Sequence, residues 1–431
     1  MPERSGPSSI AVRMYNVGFG DCFLLTFRYD AAARIPERHM LIDFGSSAAP
    51  RYAPKDYLQR AAEDIARQSK GKLHVLAATH RHRDHINGFV TNGGGSGKII
   101  AALHPDHVIL PWTEDPNAAP DASAASMPGS SSHSARMKSR FLGTLENLHR
   151  IAADAARSAA NPELAGRDTR AQLQFLGEEN VKNHSAVENL MRMGQSCKAY
   201  YVNAGTALNN LLPGVKITVL GPPTLEQSNS IRTERARDPQ EFWQFCNFWA
   251  SRRLALQTAP AASKRVNEPP PGVRWFIRQA RRIQADLTLE LVRELDTVLN
   301  NTSLILLLEA GNRKLLFPGD AQIENWAFAL RNPEWRRLLA DVNLYKVGHH
   351  GSRNATPKSL WALFRHRGDG QQPERLATLC STRSGKHGSA KSGTEVPRRI
   401  LVEELRAKSA FASTEEFKSE LAKTFEIDTG G

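Results

Sequence analysis

Cysteine is scarce and scattered in this chain. The four thiols, Cys22, Cys197, Cys246 and Cys380, include no Cys-x-x-Cys pair, which argues against a disulfide framework and against a thiolate metal site. Long apolar runs are missing as well. Leu304–Leu308 is among the longest, and Glu309 ends it, far short of the ~18 residues that crossing a bilayer requires. The opening MPERSGPSS has no apolar segment behind its charges, so no secretory signal is expected, and a cytoplasmic location without a membrane partner is the default expectation. No repeat of solenoid type is visible. Acidic residues are in deficit, with 44 Asp and Glu against 57 Lys and Arg, for a net charge of +13. Such a surplus draws polyanions, so an anionic substrate or partner, nucleic acid among them, is one expectation; a merely solvated basic surface is the other.

What is present reads as a globular α/β protein. The chain has 431 residues, 40% of them hydrophobic and 23% charged, enough for one large domain with insertions or for two ordinary ones. Short β-rich runs at Ala11–Met14 and Cys22–Arg28 flank a glycine-rich turn, Asn16–Asp21, and His39–Phe44 follows before Gly45. A helix is expected at Lys55–Lys70 and a buried strand at Leu73–Ala78. Residues 114–133 are rich in Ala, Ser, Pro and Gly and read as a loop, with helical spacing over Ala135–Ala160. Strand character returns at Val108–Leu110, Ala199–Val202, Lys216–Leu220, Ser303–Glu309, Lys314–Phe317 and Asn343–Val347. A helix-rich stretch fills Asp238–Leu299, broken at Pro269–Pro271. Within it Phe242, Phe245 and Trp249 read as core packing, and Arg278, Arg281 and Arg282 as a solvated face or an anion contact. Pro397–Lys408 is expected to be the last ordered element. The whole is taken as one domain over residues 1–431, with a loop- and helix-rich insertion at about 113–300.

The chemistry concentrates in Thr79-His80-Arg81-His82-Arg83-Asp84-His85-Ile86-Asn87-Gly88. Three histidines and an aspartate follow directly on an apolar strand, so a tight loop there aims several side chains at one point. Imidazole nitrogens with carboxylate oxygens suit Zn²⁺ and accept Mn²⁺ or Fe. A histidine-rich surface loop is the bland alternative, and the ordered H-x-H-x-D-H spacing weighs against it. Gly88 is expected to ease the backbone as the loop enters a helix.

This spacing resembles the hallmark of metallo-β-lactamase-fold hydrolases. The resemblance implies a four-layered αβ/βα sandwich with helical insertions and one or two zinc ions, Mn being possible. In that family the two leading histidines, here His80 and His82, bind one metal, and the Asp84–His85 pair binds the second. Pro318-Gly319-Asp320 after an apolar strand looks like the aspartate that bridges both metals. Lys346-Val-Gly-His349-His350-Gly351-Ser352 looks like the late histidine loop. His350 is favoured as the ligand with His349 beside the substrate, the reverse assignment staying open. Met14–Asp21, Leu41–Gly45 and the His-His-Gly-Ser loop resemble the hydrolase domain of ComEC-type DNA-internalisation proteins, over about residues 10–90 and 298–355. By that resemblance Asp43 orients the histidine loop, and Asp21 either does similar work or caps its turn.

The family's further histidine, between the first cluster and Asp320, has no clear counterpart. His104, His107, His133, His149 and His184 are candidates, and the loop residue His387 is a substitute. The implied reaction is hydrolysis by metal-activated water, with Asp84 or Asp320 orienting the nucleophile and His349 meeting the leaving oxygen or the oxyanion. Lys346, Arg383 and Lys386 are candidates for holding an anionic group. A phosphodiester or nucleic-acid substrate is the leading expectation. A small carboxylic ester or lactone, or a decayed scaffold that binds protein, are the alternatives.

Overall fold

The run Leu304–Leu308 carries no polar residue on either face, and its surroundings explain why. Leu304, Leu306 and Leu308 point into one apolar core, while Ile305 and Leu307 point into another. A strand covered on both sides reads as a continuous apolar run rather than an alternation. The same holds at Cys22–Leu25, where Phe23 and Leu25 face one core and Cys22 and Leu24 the other. Such strands belong in the middle of a layered structure.

The computed structural model describes residues 6–92, 95–115, 184–224, 226–228, 300–370, 374–390 and 393–430. The first elements are β1 (Ser9–Tyr15), β2 (Cys22–Arg28), β3 (Glu37–Phe44), α1 (Tyr57–Gln68), β4 (Val75–Ala77), a single-turn α2 (Arg83–Ile86), α3 (Ser96–Ala101), β5 (His107–Pro111), α4 (His184–Ser196) and β6 (Lys198–Val202). Then come β7 (Ala207–Leu212), β8 (Val215–Gly221), β9 (Ile305–Ala310), β10 (Arg313–Phe317), α5 (Ile323–Ala329), α6 (Pro333–Ala340), β11 (Leu344–Lys346), α7 (Lys358–Leu363), β12 (Ala377–Cys380), α8 (Arg399–Lys408), β13 (Ala410–Ser413) and β14 (Ala422–Asp428).

The strands form two seven-stranded sheets, ordered β14-β1-β2-β3-β4-β5-β6 and β7-β8-β9-β10-β11-β12-β13. The central core joins them: β1 and β2 contribute Ile10, Val12, Phe23 and Leu25, and β9 and β10 contribute Leu306, Leu308, Leu315 and Phe317. A second core lies between the first sheet and α1, α3 and α4, and a third between the second sheet and α5 to α8. The order is therefore helices, sheet, sheet, helices, an α/β sandwich as expected.

The two sheets repeat one pattern. Counting from β14 in the first and β7 in the second, each has three antiparallel pairings followed by three parallel ones. The repeat matches β3 with β10 and β4 with β11. Side chains that follow these parallel strands gather at one edge, because loops at the carboxyl ends of parallel strands open into a common crevice. Leu304 N donates to Thr79 O at 2.9 Å and so ties the end of β4 to the second sheet.

Local signals account for the helices that carry this frame. In α1 the buried Ala61, Ala62 and Ile65 lie on one stripe, where Asp64 also turns inward to meet the Tyr15 hydroxyl at 3.0 Å. Asn332 caps α6 by accepting from Glu334 N and Trp335 N, with Pro333 in the first turn, where its missing N–H costs nothing.

Three expectations need correcting or bounding. Pro397–Lys408 is not the last ordered element: α8 is followed by β13 and β14, which complete the far edge of each sheet. β14 is half-buried and sends only Phe425 and Ile427 toward the central core, so its apolar signal is thin. Within the span expected as an insertion, residues 184–224 carry α4 and β6 to β8, which are members of this architecture. The loop at 116–133, the helix at Ala135–Ala160, and Asp238–Leu299 with its aromatic stripe and arginines lie outside the described residues. Among the described residues no helix is long and apolar enough to cross a membrane, and Cys22, Cys197 and Cys380 are free thiols.

One pair of histidines makes stability depend on pH away from the site. His74 Nδ1 accepts from the His39 backbone N–H at 3.0 Å, and His39 Nδ1 lies 3.1 Å from the Thr26 hydroxyl. Burial pushes both imidazoles down from 6.5 to about 4. The folded state therefore keeps them neutral where the unfolded chain takes up protons. Their stabilisation is full above about pH 6.5 and declines as pH falls from there to about 4. Thermal unfolding should show a midpoint that drops across this window, and less steeply in His74→Leu. An equal slope in the variant would remove His74 from the account.

Candidate metal centre

The edge where β3, β4, β10 and β11 end collects five histidines and four aspartates. After β4 the chain turns so that Thr79 through His85 double back: His82 N-caps α2, and both His85 N and Ile86 N return to His82 O. This puts Asp84 and His85 in the first turn, facing inward and buried. After β10, Gly319 (φ +53°) lies against Thr79, and a Cβ there would come within 2.7 Å of the Thr79 side chain. Only glycine admits both the left-handed backbone and the close approach, and the next residue, Asp320, is thereby carried into the cluster. After β11, His349 (φ 42°) and His350 (φ 51°) are both left-handed. Such backbone costs non-glycine residues about 1–2 kcal/mol each, and here it turns the His350 ring inward.

The donor atoms converge. Those of Asp84, His85, Asp320 and His350 lie within 4.8 Å of one another, and the same holds for His80, His82 and Asp84, and for Asp21, Asp43 and His85. His350 Nε2 is 2.9 Å from Asp84 Oδ2 and 3.4 Å from Asp320 Oδ2, and His85 Nε2 is 3.1 Å from Asp320 Oδ1. His80 Nε2 is 3.0 Å from His82 Nδ1. Asp84 Oδ1, His85 Nε2 and Asp320 Oδ1 are fully buried and make no well-formed hydrogen bond; His85 Nε2 meets the two carboxylate oxygens only as ion-pair contacts, at 3.9 and 3.1 Å. Buried carboxylate oxygens aimed at one point without good hydrogen bonds call for positive charge between them, which a protonated imidazole or a metal ion can supply. Two imidazoles and two carboxylates are a donor set that fits Zn²⁺ or Mn²⁺.

Outer partners fix these rings. Asp43 Oδ1 accepts from Thr79 N at 2.7 Å; its Oδ2 accepts from Thr79 Oγ1 at 2.7 Å and meets His85 Nδ1 at 2.8 Å. His350 Nδ1 is 2.9 Å from Ser381 O. Each ring thus has its far nitrogen engaged and its Nε2 turned to the cluster, the arrangement that prepares an imidazole for metal.

The electrostatics favour positive charge at this point. Burial alone would push the His85 and His350 imidazoles down, but the surrounding aspartates outweigh it, holding His85 well above its usual value and His350 up at about 10. Burial alone would likewise raise Asp84 and Asp320, and the facing histidines reverse that and hold both carboxyls below the usual range. His80 and His82 are pushed down by burial, His82 to about 4. Both therefore present neutral imidazole, the form a metal takes. His80 also borders a small pocket whose walls include Ala78, Ile86, Leu110 and Met191 together with the Arg81–Glu114 pair.

The sequence-predicted residues His80, His82, Asp84, His85, Asp320 and His350 are brought together, with His350 in the donor set. His349 lies at the mouth, its side chain 25% exposed and its Nε2 3.8 Å from Asp320 Oδ2. Three expectations change. Lys346 is 1% exposed and bound to Asp21 and to Gly319 O, so it faces no solvent from which to hold an anion. Gly88 does not have left-handed backbone; a Cβ there would strike the Phe44 ring at 2.5 Å, so its role is close packing. Asp21 caps no turn with its side chain and instead meets Lys346.

The extra histidine remains without a counterpart among the described residues. His104 and His107 precede or begin β5, at the opposite end from the cluster, where His107 pairs with Val75. His387 packs edge-on against Phe19, whose ring also contacts His350, and it joins none of the donor sets. His133, His149 and the His184 side chain lie outside the described residues. Glu114 was missed by reading the sequence: it is buried beyond the carboxyl end of β5 and pairs with Arg81 at 2.7 Å. The signal available was an acid just past a parallel strand. No protein-family model and no curated protein matches this chain.

Proposed function

We propose that this chain is a metal-dependent hydrolase of the metallo-β-lactamase fold, acting on a phosphodiester. The observation that carries the reading is the meeting of Asp84, His85, Asp320 and His350, drawn from three separate loops, with buried carboxylate oxygens aimed at one point. The two-sheet sandwich with helices outside supports the same family. Asp84, His85, Asp320 and His350 would hold one ion, and His80, His82 and Asp84 a second. The ion would supply a water acidic enough to be hydroxide near neutral pH and positive charge for the substrate's oxygens.

The remaining work falls to side chains of this chain. The Asp84 and Asp320 carboxylates accept hydrogen bonds from the attacking water and so aim it. His349 stands at the mouth with its pKa lowered by burial, so it is neutral and serves as a hydrogen-bond donor to the developing oxyanion rather than as a proton source. Arg51 and Arg383 donate to the Ser384 and Ala49 carbonyls rather than to carboxylates. In this reading Arg51 and Arg383, and Arg83 at the start of α2, are the guanidiniums that would meet phosphates.

A chromogenic phosphodiester and a carboxylic ester, each offered with Zn²⁺ or Mn²⁺, test the reading. Turnover of the phosphodiester that needs the added ion is the expected result. With an oligonucleotide, three phosphate contacts imply affinity falling by roughly 20- to 40-fold between 50 and 200 mM salt. Ester cleavage indifferent to salt would move the substrate to a small carboxylic ester. A folded protein that turns over neither substrate with either ion would sink the hydrolase reading.

A further inference from the structure

Lys346 is the odd member of this centre. It is a lysine on a central strand, 1% exposed, at the heart of a cluster otherwise made of histidines and aspartates. Its ammonium is bound to the Asp21 carboxylate, lies 3.1 Å from the Gly319 carbonyl oxygen and stands 3.6 Å from Asp320 Oδ1. All three neighbours are oxygens, and they come from the β1–β2 turn and the β10 loop, so the lysine bridges the two sheets. Oxygen-only surroundings of this kind suit a hard cation. Asp21 Oδ1, equally buried, has no hydrogen-bond partner and lies 3.7 Å from His350 Nδ1.

We propose that the Lys346 ammonium is a tethered cation filling a third, oxygen-lined cation position beside the metal centre, between Asp21, the Gly319 carbonyl and Asp320. In that place it acts as a positioning residue. It holds Asp21 on the Nδ1 side of the two rings, 3.6 Å from His85 Nδ1 and 3.7 Å from His350 Nδ1 and so off their Nε2 atoms, and it stands beside Asp320 Oδ1 while Oδ2 faces His350. A mobile ion there would leave when the others are stripped, whereas a lysine on β11 cannot. The proposal concerns the cation chemistry of the cluster and does not depend on which bond the protein hydrolyses.

The test vacates the position. Lys346→Ala, Asp21→Asn/Lys346→Ala and the wild type are equilibrated with Mn²⁺, and bound metal per chain is measured by elemental analysis, with circular dichroism to follow folding. Lys346→Ala is expected to hold one more ion than the wild type, and the double variant to lose it. Because removing one partner of a buried ion pair weakens folding, thermal unfolding supplies a second reading. Mn²⁺, or ethylammonium as a detached copy of the lost group, should raise the midpoint of Lys346→Ala by more than it raises the wild type, while neutral ethanol should not. Equal stoichiometry, with no selective rescue by either cation, overturns the proposal. That result would leave untouched the hydrolase reading, which fails instead if no substrate is turned over.

Discussion

Asp320→Ala is expected to abolish turnover and to lower the affinity for Zn²⁺ by more than a hundredfold, while the protein stays folded. Asp320 is the residue on which the centre turns. Its Oδ1 lies 3.1 Å from His85 Nε2, and its Oδ2 lies 3.4 Å from His350 Nε2 and 3.8 Å from His349 Nε2. Losing a partner that merely orients a ligand costs 10–100-fold in metal affinity, so losing a carboxylate that touches both rings should exceed that range. Folding should survive because the strand that delivers Asp320 is held by its own core: Leu315 and Phe317 are buried between the sheets and Leu316 beneath the outer helices. Removing the carboxylate also relieves crowding with Asp84 and Asp21. Chelator competition gives the affinity, thermal unfolding reports the fold, and hydrolysis is read on the same sample. Retained turnover at wild-type affinity would falsify the metal centre as drawn.

The centre was largely legible in the sequence, and the reason is physical. His80, His82, Asp84 and His85 are local in the chain, so their convergence needs only one tight loop after a strand. Asp320 and His350 were legible because each follows an apolar run closely enough for the strand end to be read. What escaped depends on juxtaposition across the molecule. Lys346 looked available to an anion because nothing in its neighbours foretells Asp21, which lies in the turn before β2 and reaches it only when the sheets pack. Glu114 acquires its place from Arg81, on a different strand end. Among the later strands β9, β10 and β11 were legible from their apolar runs, whereas β12 and β13, of 4 residues each, were too short to stand out, and β14 alternates apolar with polar positions on a half-exposed edge. The matching order of the two sheets was hidden for the same reason, since pairing partners are not written in any local pattern.

Asp43→Asn should weaken Zn²⁺ binding by about 10–100-fold with little change of shape, the range found when a partner behind a metal-binding histidine is lost. Asp43 has left-handed backbone (φ 54°), which asparagine adopts readily and alanine does not, so the amide isolates the hydrogen-bond question from strain. Both carboxylate oxygens act as acceptors, Oδ1 from Thr79 N, and Oδ2 from Thr79 Oγ1 and toward His85 Nδ1. An amide must choose. If its oxygen keeps Thr79 N, its NH₂ faces His85 Nδ1, which must then accept; the ring proton moves to Nε2, and the lone pair beside Asp320 is lost to any metal. If the amide turns over, its NH₂ meets the Thr79 N–H, and a buried donor goes unsatisfied at a cost of about 1–3 kcal/mol. The first outcome shows as weakened metal binding at nearly unchanged stability, the second as a lower unfolding midpoint. A variant that matches the wild type in both would mean that His85 keeps its proton on Nδ1 without help from Asp43, and that the ring is oriented by the packing of α2 alone.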